Sequence, residues 1–169
     1  AGAMVHVTFG INIVVDTSSR HSGLFCGEFD KAWQASCSYV QKGYGLPIDY
    51  QADVVIASCG GFPKDLNFYQ STKTLFNASR AVKEGGTLIM LAECPEGSGS
   101  KDFFDWIKPL SKGCLDEALR ASFTIGGYIF YAACESIRRS KTLLLSSMEP
   151  ELVRDMGVRS FKDMKDLLE

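Results

Sequence analysis

An α/β fold is what this sequence predicts, on three observations. Val54-Val55-Ile56-Ala57-Ser58 and Thr87-Leu88-Ile89-Met90-Leu91-Ala92 are short continuous apolar runs, the composition of parallel strands covered on both faces. A segment with helical periodicity joins them, which makes one βαβ unit. A further apolar run at Thr142 to Ser146 follows more helical segments, and strands alternating with helices imply a parallel core. The expected architecture is a three-layer sandwich with a mostly parallel Rossmann-like sheet and, from alternation near the start, an N-terminal edge β pair.

Taken in order, Ala1-Gly2-Ala3-Met4 reads as an expression scar, leaving 5–169 as a single α/β domain. Val5 to Asp16 alternates and carries Ile11, Ile13, Val14 and Val15, so it predicts a strand. Residues 17–23 read as a turn and Leu24 to Gly27 as an antiparallel return strand. Glu28 to Lys42 has helical composition with Phe29, Trp33, Cys37 and Val40 on one side, and Gly43-Tyr44-Gly45-Leu46-Pro47 ends it. After the strand at 54–58 a helix is expected from about Lys64 to Lys83, closed by Gly85-Gly86, then the strand at 87–92 and the loop Glu93 to Ser100. Helices are expected over 101–111, 114–121 and 126–139, then a strand at 142–146 and a last helix from 160.

Composition narrows the function classes. With 169 residues, 46% of them hydrophobic, and a net charge of -2, the chain can bury a core without staples and lacks the basic excess of a nucleic-acid binder. Its six cysteines, at 26, 37, 59, 94, 114 and 134, include no CxxC pair and read as reduced and mostly buried. No apolar run has the length of a membrane span, and a cytoplasmic protein is expected. His6 and His21 are the only histidines, so neither a three-His metal site nor a Ser-His-Asp triad can be assembled, and no metal site is predicted in this chain. Trp33 and Trp106 read as core residues, Cys59 and Cys94 as buried structural thiols, and Asp65 and Asn67 as helix caps. Phosphate-loop and dinucleotide glycine motifs are absent.

The segment from Cys59 to Lys73 joins a strand, a glycine turn and a helix, the junction where open α/β sheets gather ligands. Gly60 and Gly61 permit close backbone approach and are expected to line a cleft, with the Gly97-Ser98-Gly99 loop on the same edge. At 100° per residue Phe68, Thr72, Leu75, Ser79 and Val82 face the sheet, while Tyr69, Gln70, Lys73, Asn77 and Arg80 share the opposite arc. A phenol, an amide and an ammonium then converge near the helix start, a set suited to a carboxylate. Spacing alone favours a solvated helix face, and the two glycine turns at the same sheet edge are what turn the reading toward a ligand.

The string GGFPKDLNFYQSTK (60–73) with NASRAVKEGGTLIMLAECPEGSGS (77–100) resembles the C-terminal domain of the nickel-pincer-nucleotide-dependent lactate racemase family. The likeness extends more weakly over Ile11 to Asp16, residues 25–33 and the C-terminal third. It implies a two-domain enzyme that racemises or epimerises 2-hydroxy acids by moving hydride between the substrate Cα and a lysine-tethered nickel-pincer nucleotide. It also implies that an N-terminal half, absent here, supplies the cofactor lysine and the acid/base histidines, so that this domain binds no cofactor by itself and is silent alone. The family's Tyr-Gln-x-x-Lys element matches Tyr69, Gln70 and Lys73. The resemblance assigns Gln70 and Lys73 to the substrate carboxylate, with Lys73 as the catalytic clamp, and turns Tyr69 toward cofactor or substrate. A further family aromatic or His falls near Tyr128. Family members continue into another strand after the last helix, so truncation is expected.

Two other readings fit the residues. Arg80 to Leu88 resembles the helix-GG-strand step of a methyltransferase-like Rossmann domain, though the glycine-rich first loop for the methyl donor is missing. A non-catalytic small-acid-binding module would keep the fold and lose the partner half's chemistry.

Overall fold

The computed structural model of the chain describes residues 4, 6–97 and 99–168. Of the expected scar only Met4 is among them, and Ser98 of the Gly97-Ser98-Gly99 loop falls outside them. The chain forms two compact units, 1–48 and 49–169.

In the first unit, strand β1 (Gly10–Val15) pairs antiparallel with β2 (His21–Gly27), a sheet of its own with Ile13 opposite Leu24. Asp16 closes the hairpin by accepting the Ser18 and Arg20 N–H groups at 2.8 and 2.9 Å. The Arg20 N–H is the main reason that its carboxyl lies below the usual carboxylate range. Helix α1 (Phe29–Tyr44) starts on Glu28, whose carboxylate accepts from the Asp30 and Lys31 N–H groups. Its buried residues are Ala32 and Ser36, a correction to the expected face, and Trp33 is 53% exposed with Cys37 and Val40 also exposed. The reason is close approach: a Cβ on Gly10 would sit 3.3 Å from the Phe29 Cα, so the helix rests on the strands where only small side chains fit. The other sheet face, with Ile11, Ile13, Val15 and Leu24, stays exposed.

The second unit holds a four-stranded parallel sheet in the order β3-β4-β5-β6: β3 (Ala52–Ser58), β4 (Val82–Leu91), β5 (Lys141–Leu145) and β6 (Arg159–Phe161). Between β3 and β4 runs α2 (Phe68–Ala78). From β4 to β5 the chain passes through α3 (Lys101–Phe104), α4 (Ile107–Ser111), α5 (Leu115–Ala121) and α6 (Ile125–Arg138). Helices α7 (Glu151–Arg154) and α8 (Met164–Leu168) flank β6. Strand alternation puts Val55, Ala57, Leu88, Met90 and Leu144 into one core with Phe68 and Leu75 of α2 and Phe130 and Ile137 of α6. Ile89 and Leu167 are buried apart from that core, and α8 packs on β5 and β6. No helix among the described residues is long and apolar enough to cross a membrane.

The α/β class and the parallel sheet are those expected, but several boundaries move. Helix α2 is shorter than 64–83, because residues 62–67 are taken up in turns and Val82 already belongs to β4. Gly85-Gly86 lies inside β4 as an irregularity, with Ala52 opposite Val82 but Val54 opposite Thr87. Gly85 has φ +75, and a Cβ on Gly86 would stand 2.8 Å from the Asp53 carbonyl oxygen. Glycine thus serves a bulge here instead of a helix stop. Residues 159–161 form β6 where a helix was expected from 160, since three residues are too short to display alternation.

Cys59, Cys94 and Cys134 are buried, whereas Cys26 and Cys37 are exposed, which corrects the expectation that most are inside. Burial pushes the Cys134 thiol up to about 12 and raises Cys94 as well. A thiol reagent is therefore expected to label Cys26 and Cys37 in the native chain and Cys134 only on unfolding; rapid native labelling of Cys134 would contradict this packing. Because the folded value lies above the unfolded one, the contribution of Cys134 is complete below the ordinary thiol range and is lost as pH rises toward 12. Alkaline melting curves of Cys134→Ala should accordingly fall less steeply with pH than those of the parent chain.

Candidate functional site

After β3 and Cys59 come Gly60 and Gly61, at φ +83 and +74, two successive left-handed residues that swing the chain off the sheet. Lys64 folds back over this turn, its Nζ 3.8 Å from where a Gly60 Cβ would be. Helix α2 then starts on Asn67, whose Oδ1 accepts the Gln70 N–H at 3.0 Å and whose carbonyl accepts the Ser71 N–H at 3.1 Å. The Phe68 N–H donates to the Gly97 carbonyl at 2.9 Å. The same 93–97 turn binds the preceding loop through Cys94 N–H to Asp65 O, Glu96 N–H to Leu66 O, and Glu93 N–H to the Asp65 carboxylate. Asp65, only 6% exposed, is thus a brace for the neighbouring loop and not the helix cap expected of it.

A consequence follows for recognition. The Phe68, Gln70 and Ser71 N–H groups at the start of α2 are already bonded within the chain, so an anion here would meet side chains more than the helix N-terminus. Asn67→Ala should lower stability by about 0.5–2 kcal/mol, the usual worth of such a cap, measured by urea unfolding; an unchanged midpoint would show that the 93–97 turn alone holds the helix start.

On the polar arc, Lys73 Nζ donates to Gln70 Oε1 at 2.7 Å. That bond fixes the amide orientation: with Oε1 taken, the Gln70 Nε2 donors point away from Lys73. Gln70 and Lys73 therefore each keep N–H donors for a ligand, donors of the kind a carboxylate accepts. None of the ion pairs among the described residues involves Lys73. Tyr69 is half-buried, its ring and that of Phe103 set in a T-shaped pair with centroids 5.5 Å apart. Asn77 and Arg80 are exposed further along the arc, while Phe68, Thr72, Leu75 and Ser79 are buried as the periodicity predicts.

Tyr128 is not part of this cluster of contacts. It sits in the first turn of α6, 52% exposed, with its ring 6.3 Å from Phe123. Helices α2 and α6 pack together, and Gly126 and Gly127 bring α6 so close that a Cβ would lie within 3 Å of Asp102 and Trp106 side-chain atoms. Thr124 caps α6 through the Gly127 N–H.

A cavity of about 380 Å³ opens at the carboxyl ends of β3, β4 and β5, lined among others by Ser58, Gly61, Asp65, Glu93, Ser146 and Lys162. Gly61 lines it; Gly60, Tyr69, Gln70 and Lys73 do not. The Ser146 and Ser147 hydroxyls both donate to the Glu93 carbonyl, at 2.9 and 2.7 Å, and the Ser146 oxygen also accepts the Met148 N–H at 3.2 Å. Sequence reasoning missed Ser146 and Ser147; the strand-end rule, applied to the run at 142–146, points to them. Among the described residues no group of three or more His, Cys, Asp or Glu could hold a metal ion.

Residues 48–169 match the family described as the lactate racemase C-terminal domain. The chain belongs to that family. Among its relatives, the lactate racemase of Thermoanaerobacterium thermosaccharolyticum is 31% identical over 99% of this chain and 41% of its own length. The lactate racemase of Lactiplantibacillus plantarum is 32% identical over 70% of the chain and 28% of its own. The structure is similar to that of the lactate racemase apoprotein from T. thermosaccharolyticum, with a TM-score of 0.79 at 29% identity, covering 96% of this chain and 40% of that one. A Thermotoga maritima protein shares the fold with a TM-score of 0.60 at 13% identity, covering 94% and 44% of the two chains. The chain spans well under half the length of either racemase relative.

Proposed function

We propose that this lactate racemase C-terminal domain is the substrate side of a 2-hydroxy acid racemase or epimerase. In this reading it clamps the substrate carboxylate beside a nickel-pincer nucleotide that the N-terminal half of a longer chain carries. The observation that supports it best is the Lys73–Gln70 hydrogen bond, which turns an ordinary exposed helix face into a paired donor set. Lys73 supplies charge and Gln70 direction, so a bound 2-hydroxy acid has its Cα and hydroxyl presented in one orientation. Tyr69, one residue before Gln70, offers a phenol toward the same ligand; in this reading Tyr128 and the Gly60-Gly61 turn approach the ligand as well, although of them only Gly61 lines the cavity at the strand ends.

Two apolar surfaces suit a partner half. Ile11, Ile13, Val15 and Leu24 form an exposed sheet face in the first unit, and Val54 and Ile56 of β3 are 54% and 65% exposed. Parallel sheets are normally covered on both faces, and exposed contiguous apolar area marks an interface. The N-terminal half of a racemase-length chain is the occupant we assign to them.

Gly85-Gly86 lies inside β4 and not between helix and strand, which removes the feature behind the methyltransferase alternative. The proposal is tested by titrating the 15N-labelled chain with lactate and with lactamide, its uncharged isostere. Shifts at the Gln70 side-chain amide and the Lys73 ammonium with lactate only are expected. Equal response to both compounds, or none to lactate, would remove the carboxylate clamp.

A further inference from the structure

Phe103 stands at the centre of an aromatic block. It is fully buried, and its ring lies 4.9 Å from Phe104, 5.2 Å from Phe130 and 6.3 Å from Phe68 by centroid distance. One further neighbour is different in kind: Tyr69, at 5.5 Å and 76°, is half-buried, and its hydroxyl makes no hydrogen bond among the described residues. The protein thus holds the ring of Tyr69 by an edge contact and leaves the polar end free. The block itself is tied down beyond α2. Phe103 is in the four-residue α3, where the Asp102 carboxylate accepts the Thr124 hydroxyl, and Thr124 in turn caps α6. Phe103 therefore takes its place from α3 and α6 and passes it to a side chain on α2.

We infer that Phe103 is a positioning residue for the Tyr69 phenol, setting where that hydroxyl meets a bound 2-hydroxy acid. The inference rests on the function proposed above. A tyrosine on an exposed helix face samples several rotamers; an edge-on aromatic partner removes most of them, so the hydroxyl is placed before the ligand arrives. Phe103 touches no ligand in this arrangement and acts only through Tyr69.

A double-mutant cycle tests it. Lactate affinity is measured by NMR titration for the parent chain, Phe103→Leu, Tyr69→Phe and the double variant, with Phe103→Met in place of Phe103→Leu should the latter fail to fold. Phe103→Leu is expected to weaken lactate binding roughly 2- to 10-fold, the worth of one edge-to-face aromatic pair, and to have no effect once Tyr69 is Phe. Independently of any ligand, the Tyr69 ring-proton shifts should change in Phe103→Leu as the Phe103 ring current is removed. An equal loss of affinity in both backgrounds would make Phe103 a merely structural residue, and unchanged Tyr69 ring shifts would overturn the contact. Failure of the parent chain to bind lactate would sink the proposed function, and this inference with it, while leaving the ring-current result to stand alone.

Discussion

Lys73→Ala is expected to weaken lactate binding by this chain roughly 10- to 150-fold, the equivalent of about 1.5–3 kcal/mol for a hydrogen bond to a charged group. Removing the ammonium also releases Gln70 Oε1, so the amide is free to turn and the second donor loses its orientation. The loss is therefore larger than for an isolated surface lysine, whose ion pairs contribute at most about 1 kcal/mol. Gln70→Glu separates the two parts: a glutamate still accepts from Lys73, but it brings a negative charge to the ligand carboxylate and removes the outward donor. That variant should bind lactate at least as poorly as Lys73→Ala while its thermal stability stays near the parent's. In a racemase-length protein carrying this domain, the same two substitutions should depress kcat/KM by a similar factor. Parent-like affinity in both variants would leave the arc a solvated helix face.

Gly127→Ala is expected to destabilise the fold although it adds only a single methyl group. In an exposed helix interior, replacing Gly by Ala stabilises by about 1 kcal/mol. Here the sign should reverse, because the new Cβ would lie 2.3 Å from a Trp106 ring atom, and that ring is only 8% exposed. Either the ring leaves its packing or α6 withdraws from α3, and overpacking of this kind costs about 1–3 kcal/mol. Gly43, in α1 with nothing within 4 Å of its Cβ position, is the control and should tolerate Ala without loss. Urea unfolding of both variants reads the difference directly. A Gly127→Ala chain as stable as the parent would mean that α6 does not sit as close to Trp106 as described. The substitution also shifts Tyr128, the next residue, so a change in ligand affinity alongside the stability loss would support a place for Tyr128 at the cleft.

The parts of this fold that could be read from the chain are those in which one physical preference acted alone. The buried arc of α2 was legible because Phe68, Thr72, Leu75 and Ser79 repeat at helical spacing and face a single sheet. The runs at 54–58, 87–92 and 142–146 were legible as strands because they are apolar, only five or six residues long and bounded by turns, too short for a buried helix. Where two preferences share one residue type, the reading failed. Gly85 takes a left-handed conformation that a helix stop and a strand bulge both require, and the local sequence does not distinguish them. On α1 the apolar periodicity marked Trp33 and Val40, yet the close approach of Gly10 to Phe29 selected Ala32 and Ser36 for burial.

For the candidate site the division is similar. Residue types and spacing by themselves determined that Gln70 and Lys73 would share a helix face three residues apart, that Asn67 would cap the helix, and that glycines would follow the strand. These are local properties, set by the 3.6-residue turn and by the few residues that accept a positive φ or complete a helix end. Only the tertiary structure decided that the Phe68 amide is taken by the 93–97 turn, that Asp65 braces a loop, and that Phe103 from another helix holds Tyr69. Those contacts join residues about thirty positions apart, and their partners are chosen by how packed elements meet and not by any pattern along the chain.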